Sequence, residues 1–415
     1  MRQLTGLSPL YRPARALRTR RRRHLLAALS AAALAVPTLG MPVASAAETG
    51  CRPRVIDLGT LGGSSSEIIE TNARRVWVGT ARNAAEVQRA VVWHGGHIRD
   101  LGTTGESEGY DINNSGVIVG LHKGSNDWET VRAFIRRHGV VRDLPGLPGG
   151  GPTFVRRLNE RGDATGSATD ARGREHPVIW RRGRALVQLD LPAGYLGGYG
   201  MGINDRGDVV GAVYTADQLI AWGWDKHGNS HPLAELDRQG FSQANVLDNK
   251  GRAAGISDFG GNPGAQAALW RNGRERSLGT FGDSDISFAL GTNGQGDYVG
   301  VGTYFIGEDN GHVFLTSARW SGPLRTLMPL SGDPADESSA HAVTGGQVAV
   351  GGSSETAAGE THATVWTCAY QQAFVPDLTW LDSASQRAQR VASESVPGQR
   401  ARAALFGPIK QWAER

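Results

Sequence analysis

Two carboxyl residues are marked by their place in the chain. Glu70 and Asp111 each lie two positions before an Asn that opens the same short phrase, Asn72–Gly79 (NARRVWVG) and Asn113–Gly120 (NNSGVIVG). Two acids that converge on one pocket can share the work of breaking a glycosidic bond, one protonating the leaving oxygen and the other acting across the ring. A saccharide hydrolase or lyase is therefore one expectation, with Glu70 and Asp111 its first candidates if their strands line a channel. A channel lined by Gly, Ala and unpaired polar groups would instead mark a non-catalytic binding scaffold, and that is the leading expectation. No G-x-S-x-G, P-loop or dinucleotide fingerprint is convincing, so no catalytic residue and no cofactor is assigned from motif.

Other chemistry-bearing groups read more simply as structure. Arg161-Gly162-Asp163 and Arg206-Gly207-Asp208 spell an adhesion tripeptide, but both fall in one repeated turn whose Gly needs a positive φ. Asn204, Asp205 and Asp208 offer too few oxygens for calcium, which takes six to eight. His94 and His97 flank a hairpin turn, and His227 and His231 sit beside another, without the Cys or acid partners of a zinc site, so no metal is assigned. The acidic loop Gly307 to Gly311, with Asp333, Asp336 and Glu337 beyond it, reads as solvated loop. The Trp residues read as packing between repeats rather than as sugar platforms.

The elements that must position these groups come from a repeat. The Asn-to-Gly phrase recurs at 159–166, 204–211, 248–255 (opened by Asp248), 293–300 and, degraded, 344–351. Successive starts are 41, 46, 45, 44, 45 and 51 residues apart. Within each unit a short stretch leads into the Asn and a polar turn follows. A β-branched stretch then ends at the Gly. Further on, an apolar segment usually ends in Trp (Trp93, Trp180, Trp224, Trp270, Trp320, Trp366; unit two has Arg136), and a last segment ends in Asp-Leu or similar. No segment carries a helical apolar period. Four short strands per ~45 residues is the size of a propeller blade. The fold expected is all-β, a seven-bladed β-propeller of four-stranded repeats. A β-solenoid is the alternative.

Only two cysteines occur, Cys51 and Cys368, one before the first phrase and one after the last. The first unit opens with an Asp-Leu segment, Val55 to Leu58, that lacks its Trp strand; the last stops at Trp366-Thr367-Cys368 with no Asp-Leu strand after it. The two ends complete one blade, so the ring is expected to close by pairing of first and last strands, with a Cys51–Cys368 disulfide in place of the missing turn.

Residues 1–46 read as an export signal, Sec or twin-arginine, with eight Arg before an Ala-rich apolar stretch and Ala44-Ser45-Ala46 as cleavage site. A retained anchor and a lipid on Cys51 are the weaker alternatives. The chain has 44 Lys and Arg against 40 Asp and Glu; setting the signal's eight Arg aside leaves 36 cations against 40 acids. The basic balance thus belongs to the signal, and no patch remains for nucleic acid. The expected domains are signal 1–46, propeller 47–370, and a polar tail 371–415, poorly ordered overall or with a short helix over Ser383 to Ser393.

The segment Asp57-Leu58-Gly59-Thr60-Leu61-Gly62-Gly63, echoed by Ser277-Leu278-Gly279-Thr280-Phe281-Gly282, resembles the signature of the extracellular HAF repeat family. So does Ile-Asn-x-x-Gly-x-Val-Val-Gly at 203–211, while the His-Ala-Phe triplet is approximated only at His312, Arg132 and His362. The resemblance spans roughly 55–368 and implies an exported repeat protein without an established role or transferable catalytic residues. The expectation is a secreted, extracellular monomer that binds an unidentified protein or polysaccharide, without nucleic-acid or, after signal cleavage, membrane contact.

Overall fold

The computed structural model describes residues 51–374, apart from 125–127, 234–239, 261–264, 282–285, 307, 318–323, 335 and 346–348. Residues 1–46, expected to be an export signal, Trp320, the Ser383 to Ser393 stretch and the rest of the expected tail beyond Phe374 lie outside the described residues.

The chain is almost entirely strand, and each repeat phrase is the turn between the first and second strands of a sheet. The opening strands are Gly62–Thr71, Glu106–Ile112, Thr153–Leu158, Gly197–Ile203, Ser242–Leu247, Ser287–Thr292 and Ser338–Val343. Four sheets, those opening at Glu106, Thr153, Gly197 and Ser242, have four antiparallel strands in sequence order. Each opening strand lies against the next, and Ser338–Val343 lies against Gly62–Thr71. The short strand Arg54–Asp57 pairs antiparallel with Thr361–Thr367, placing Arg54 opposite Thr367 and Asp57 opposite Thr364. The chain's beginning thus supplies the outer strand of its last sheet. A single parallel contact, Ser65 with Thr361, joins that sheet to the one that opens at Gly62.

The repeat Asn explains the repetition. Asn113 Oδ1 accepts the N–H groups of Ser115 and Val117, at 3.1 and 3.0 Å, which closes its own turn. Its amide then donates to the carbonyl of Asn159, the equivalent residue of the next unit, at 3.1 Å. Asn72 reaches Asn113, and Asn159 reaches Asn204, in the same way. Longer bonds of 3.5 Å run from Asn204 to Asp248 and from Asn293 to Thr344. Asp248 has no amide; its partner Arg252 donates to the carbonyl of Gly294 instead, at 3.1 Å. A second ladder runs one residue later, where the Ala73, Asn114, Glu160 and Asp205 N–H groups donate to side chains of Asn114, Glu160, Asp205 and Asn249.

The Gly that closes the phrase does not end a strand as expected; the second strand runs through it, as in Trp77–Asn83. A Cβ on Gly79 would lie 1.9 Å from the carbonyl oxygen of Glu67, and on Gly166 1.8 Å from that of Phe154. Steric closeness to the opening strand fixes the Gly. The Trp residues pack between units as read from the sequence. Trp93, Trp180, Trp224 and Trp366 are fully buried and donate their indole N–H to Leu58, Pro145, Asp190 and Met328, 34 to 38 residues upstream.

Among the described residues the sheet that opens at Ser287 has three strands, and residues 318–323, which follow the third, lie outside them. The loop expected at 307–311 is largely strand, since Asp297–Ile306 and Glu308–Ser317 form one long hairpin rich in β-forming residues. Past the last strand, Ala369–Gln372 forms a helical turn and Phe374 exchanges backbone hydrogen bonds with Thr326.

Cys51 and Cys368 are joined by a disulfide, with Cα atoms 5.9 Å apart and 317 residues between them in sequence. Replacing both by Ser is expected to lower unfolding stability by up to about 5 kcal/mol, the chain-entropy limit for so long a loop, read as a lower urea midpoint. Asn159→Asp keeps the turn acceptor but sets a carboxylate oxygen against the Asn204 carbonyl. A loss of about 1–3 kcal/mol is expected; a variant as stable as the parent would show that the bond between units carries no weight.

Candidate active site

Every opening strand carries a β-bulge at the same place, three residues before the repeat Asn. The pairing shifts between Ile68 and Glu70, Gly109 and Asp111, Val155 and Arg157, and at the matching pairs of the other four strands. A bulge interrupts strict alternation and re-aims the side chains around it. In the first three units the residue after the bulge is ionisable: Glu70, Asp111 and Arg157. In the other four it is Gly202, Val246, Gly291 and Ala342. At Gly291 a Cβ would lie 1.9 Å from the His341 carbonyl, so no side chain fits there.

These three groups meet. Arg157 Nη2 lies 3.7 Å from Glu70 Oε2 and donates to the Leu290 carbonyl at 3.1 Å. Its Nη1 reaches the Tyr110 carbonyl at 3.5 Å. One guanidinium thereby ties units one, two, three and six. Glu70 Oε1 accepts the Thr71 N–H at 2.9 Å. Asp111 accepts the N–H groups of Ile112 and Leu158, both at 2.6 Å. Burial raises the Glu70 carboxyl to about 7, with Arg157 opposing and the Asp111 charge adding to the rise. Burial raises Asp111 to about 6, against Arg157 and its two N–H donors. Near neutral pH the pair holds about one proton, and the two titrate as a unit.

A second group adjoins it. Arg156, the bulged residue of unit three, lays its guanidinium carbon 5.0 Å from the centre of the Tyr110 ring. Tyr110 donates its hydroxyl to Glu108 at 2.6 Å, and Gln88 donates to the other Glu108 oxygen at 2.7 Å. Tyr199 donates to Gln243 at 2.6 Å. Glu175 accepts from Ser167 at 2.6 Å and from Tyr214 at 3.5 Å. Burial lowers the Arg156 proton affinity, and Tyr110, Glu108, Tyr199 and Glu175 around it raise it further than burial lowers it.

Units one and seven meet through Glu67 and His341, 2.9 Å apart, with Ser339 3.2 Å from the same His341 Nε2. This is not a nucleophile relay, because serine and acid contact one ring nitrogen where a triad needs both. Burial raises the Glu67 carboxyl, but His341 and the hydroxyls of Ser339 and Ser353 outweigh it and leave the group below its usual range.

The remaining sequence candidates lie elsewhere. Asp163 is buried against Arg181 and the Arg182 N–H, which leaves that tripeptide inside its turn. Asp208 is spent on Asn204 and Arg206, and Asp205 on Asn249 and the Glu160 N–H. His94 and His97 face each other as a register pair at the hairpin. Glu337 is raised to about 7 by burial and by Glu355 and Asp336, apart from the opening-strand cluster. Among the described residues no group of three or more His, Cys, Asp or Glu could hold a metal, and no helix is long and apolar enough to cross a membrane.

No family model matches the chain, and no curated protein matches it. Among solved structures it is similar to a puromycin hydrolase S511A mutant complexed with PGG, with a TM-score of 0.53 and 12% identity over 77% of this chain and 55% of that one. It is also similar to virginiamycin B lyase from Staphylococcus aureus, with a TM-score of 0.45 and 9% identity over 76% of this chain and 99% of that one. The chain spans little more than half the length of the hydrolase. The first likeness bears on the fold, which is all-β and propeller-like.

The raised carboxyls set a pH dependence of stability. Their folded values lie above the unfolded ones, 4.5 for Glu70 and 3.8 for Asp111, so their contribution is complete at acid pH. It is lost as pH rises through about 6 to 7. Glu70→Gln, neutral at every pH, is expected to gain stability relative to the parent between pH 5 and pH 8, by on the order of 2 kcal/mol, in paired urea titrations. A difference that stays flat across that range would show that Glu70 ionises freely.

Proposed function

We propose that this chain is an exported, seven-bladed propeller whose central channel performs acid–base chemistry, hydrolysis or elimination, on a saccharide. The contacts between successive opening strands and the return of Arg54–Asp57 to the last sheet support a ring. The Cys51–Cys368 bond fits an oxidising compartment, in keeping with the export segment and the likeness to extracellular HAF repeats.

The observation that carries the activity is the pair Glu70 and Asp111, buried together with Arg157 on adjacent opening strands. With its Oε1 committed to the Thr71 N–H, Glu70 has Oε2 to carry the proton as general acid. Asp111 stays ionised and serves as base or as counter-charge to a developing oxocarbenium ion. Desolvated carboxyls of unequal affinity for a proton are what division into acid and base requires. The likeness to a hydrolase supports the fold alone, since a fold hosts many activities.

The scaffold reading keeps one observation of its own: both Asp111 oxygens already accept backbone N–H groups, as a purely structural carboxylate would. One experiment separates the two. The parent, Glu70→Gln and Asp111→Asn are incubated with a panel of soluble polysaccharides, with reducing ends and unsaturated products measured alongside retention on the same polymers. The expected result is turnover of one polymer class that falls at least about 100-fold in either variant. Retention without turnover by the parent would establish the scaffold instead.

A further inference from the structure

Arg156 stands apart from the other ionisable groups of the opening strands. It is half-buried, it stacks on Tyr110, and among the described residues it makes no ion pair of 4.0 Å or less. Its neighbour Arg157 spends its donors on Glu70 and three carbonyls. A guanidinium has five N–H donors in a fixed fork, more than its hydrogen bond to the Tyr110 side chain uses.

The groups around it define what could use them. Glu108, Glu175 and Gln243 supply acceptor lone pairs, Arg156 supplies donors, and Tyr110 and Tyr199, whose hydroxyl protons go to Glu108 and Gln243, supply aromatic faces; all six are half-buried. Two carboxyl groups, Glu108 and Glu175, stand against the one Arg156 guanidinium, which makes this part of the wall acidic. A carboxylate ligand would meet those acids. A hydroxyl group, both donor and acceptor, is served by the mixed wall, and a sugar ring can lie on an aromatic face.

We infer that Arg156, with Glu108, Tyr110, Glu175, Tyr199 and Gln243, forms a binding subsite for an uncharged, hydroxyl-rich saccharide, and that the adjoining Glu70–Asp111 pair hydrolyses it. The inference rests on the acid–base reading above and narrows it. Elimination needs a carboxyl beside the carbon that loses its proton, and an uncharged sugar has none. Hydrolysis remains: the glycosidic C–O bond breaks, Glu70 gives its proton to the leaving oxygen, and water adds its hydroxyl to the anomeric carbon. The second water proton returns to the carboxyl pair, so atoms and charge balance.

Binding is read by affinity electrophoresis of the full chain carrying Glu70→Gln, so that the probe is not consumed. Xylan, galactomannan and soluble starch are the uncharged probes, polygalacturonate the anionic one and chitosan the cationic one. Retardation by at least one uncharged probe is expected, unchanged between about 0.05 and about 0.5 M NaCl because no charge pairing is involved. Arg156→Ala in the same background is expected to weaken it at least 10-fold. Tighter binding of polygalacturonate or chitosan than of every uncharged probe overturns the inference, as does retardation by none. So does an Arg156→Ala chain of native circular dichroism that binds as before. The charge preference needs no Arg156 variant, so it decides even if that variant misfolds. Equal turnover by the parent and Glu70→Gln would remove the catalytic pair and leave the subsite standing.

Discussion

One amide side chain repeated along the chain sets the frame on which everything else is hung. The repeat Asn satisfies two backbone N–H groups of its own turn with its oxygen and crosses to the next unit's turn with its nitrogen. Ser or Asp could do the first task, as they do in ordinary turns, but neither has a nitrogen for the second. The residue type is therefore dictated by the neighbour as much as by the turn. Where the chain departs from Asn it supplies a substitute or changes the joint. Asp248 recruits Arg252 to reach Gly294. Thr344 closes only its own turn, with Ala349. The boundary after Thr344 is the one that other devices hold: Arg54–Asp57 pairs with Thr361–Thr367, Ser66 accepts the Ala363 N–H, and Glu67 meets His341.

The second constraint is the bulge with its facing Gly. The opening strand presses so close to the second that a Cβ on Gly79 or Gly166 would fall inside a carbonyl oxygen. The bulge next to that contact turns two consecutive positions away from the regular alternation. Function can enter there without disturbing the packing, because the sheet-facing residues before it, such as Ile68 and Val155, stay fully buried. Units one to three fill the two bulge positions with Glu70, Tyr110, Asp111, Arg156 and Arg157, while the others carry small or apolar residues after the bulge. A nearly symmetric frame thus holds a one-sided site.

The sequence shows the frame more readily than the site. Repeated spacing, turn residues and Trp positions are local signals, and the strands, turns and packed indoles follow from them. The two cysteines and the split Asp-Leu segment likewise anticipate the pairing of the ends. Glu70 and Asp111 were legible because position within a repeat is itself information. Their dependence on Arg157 was not, since that side chain bonds to Leu290, 133 residues away. The bulge leaves no residue-type signature, so nothing in the sequence marks Arg156 and Arg157 as neighbours of the two acids. The hairpin beyond Thr303 and the docking of Phe374 on Thr326 depend on pairings that a residue count cannot distinguish from loop and tail.

Arg157 decides how the two buried acids can coexist. Burying one carboxylate without a partner is costly, and burying two side by side is more so. A single guanidinium offsets one charge, and the other acid must either take a proton or find fixed dipoles. Asp111 finds dipoles, two backbone N–H groups at 2.6 Å; Glu70 has one at 2.9 Å and lies 3.7 Å from the arginine. The proton therefore settles on Glu70, the acid with less fixed stabilisation and the higher ordinary value, 4.5 against 3.8, so hydrogen-bond count and residue type set the order together. That same asymmetry separates an acid from a base within one cluster, and its hydrogen-bond share arises because the bulge brings Leu158 N–H to Asp111 while the matching donor for Glu70 is absent from its bonds.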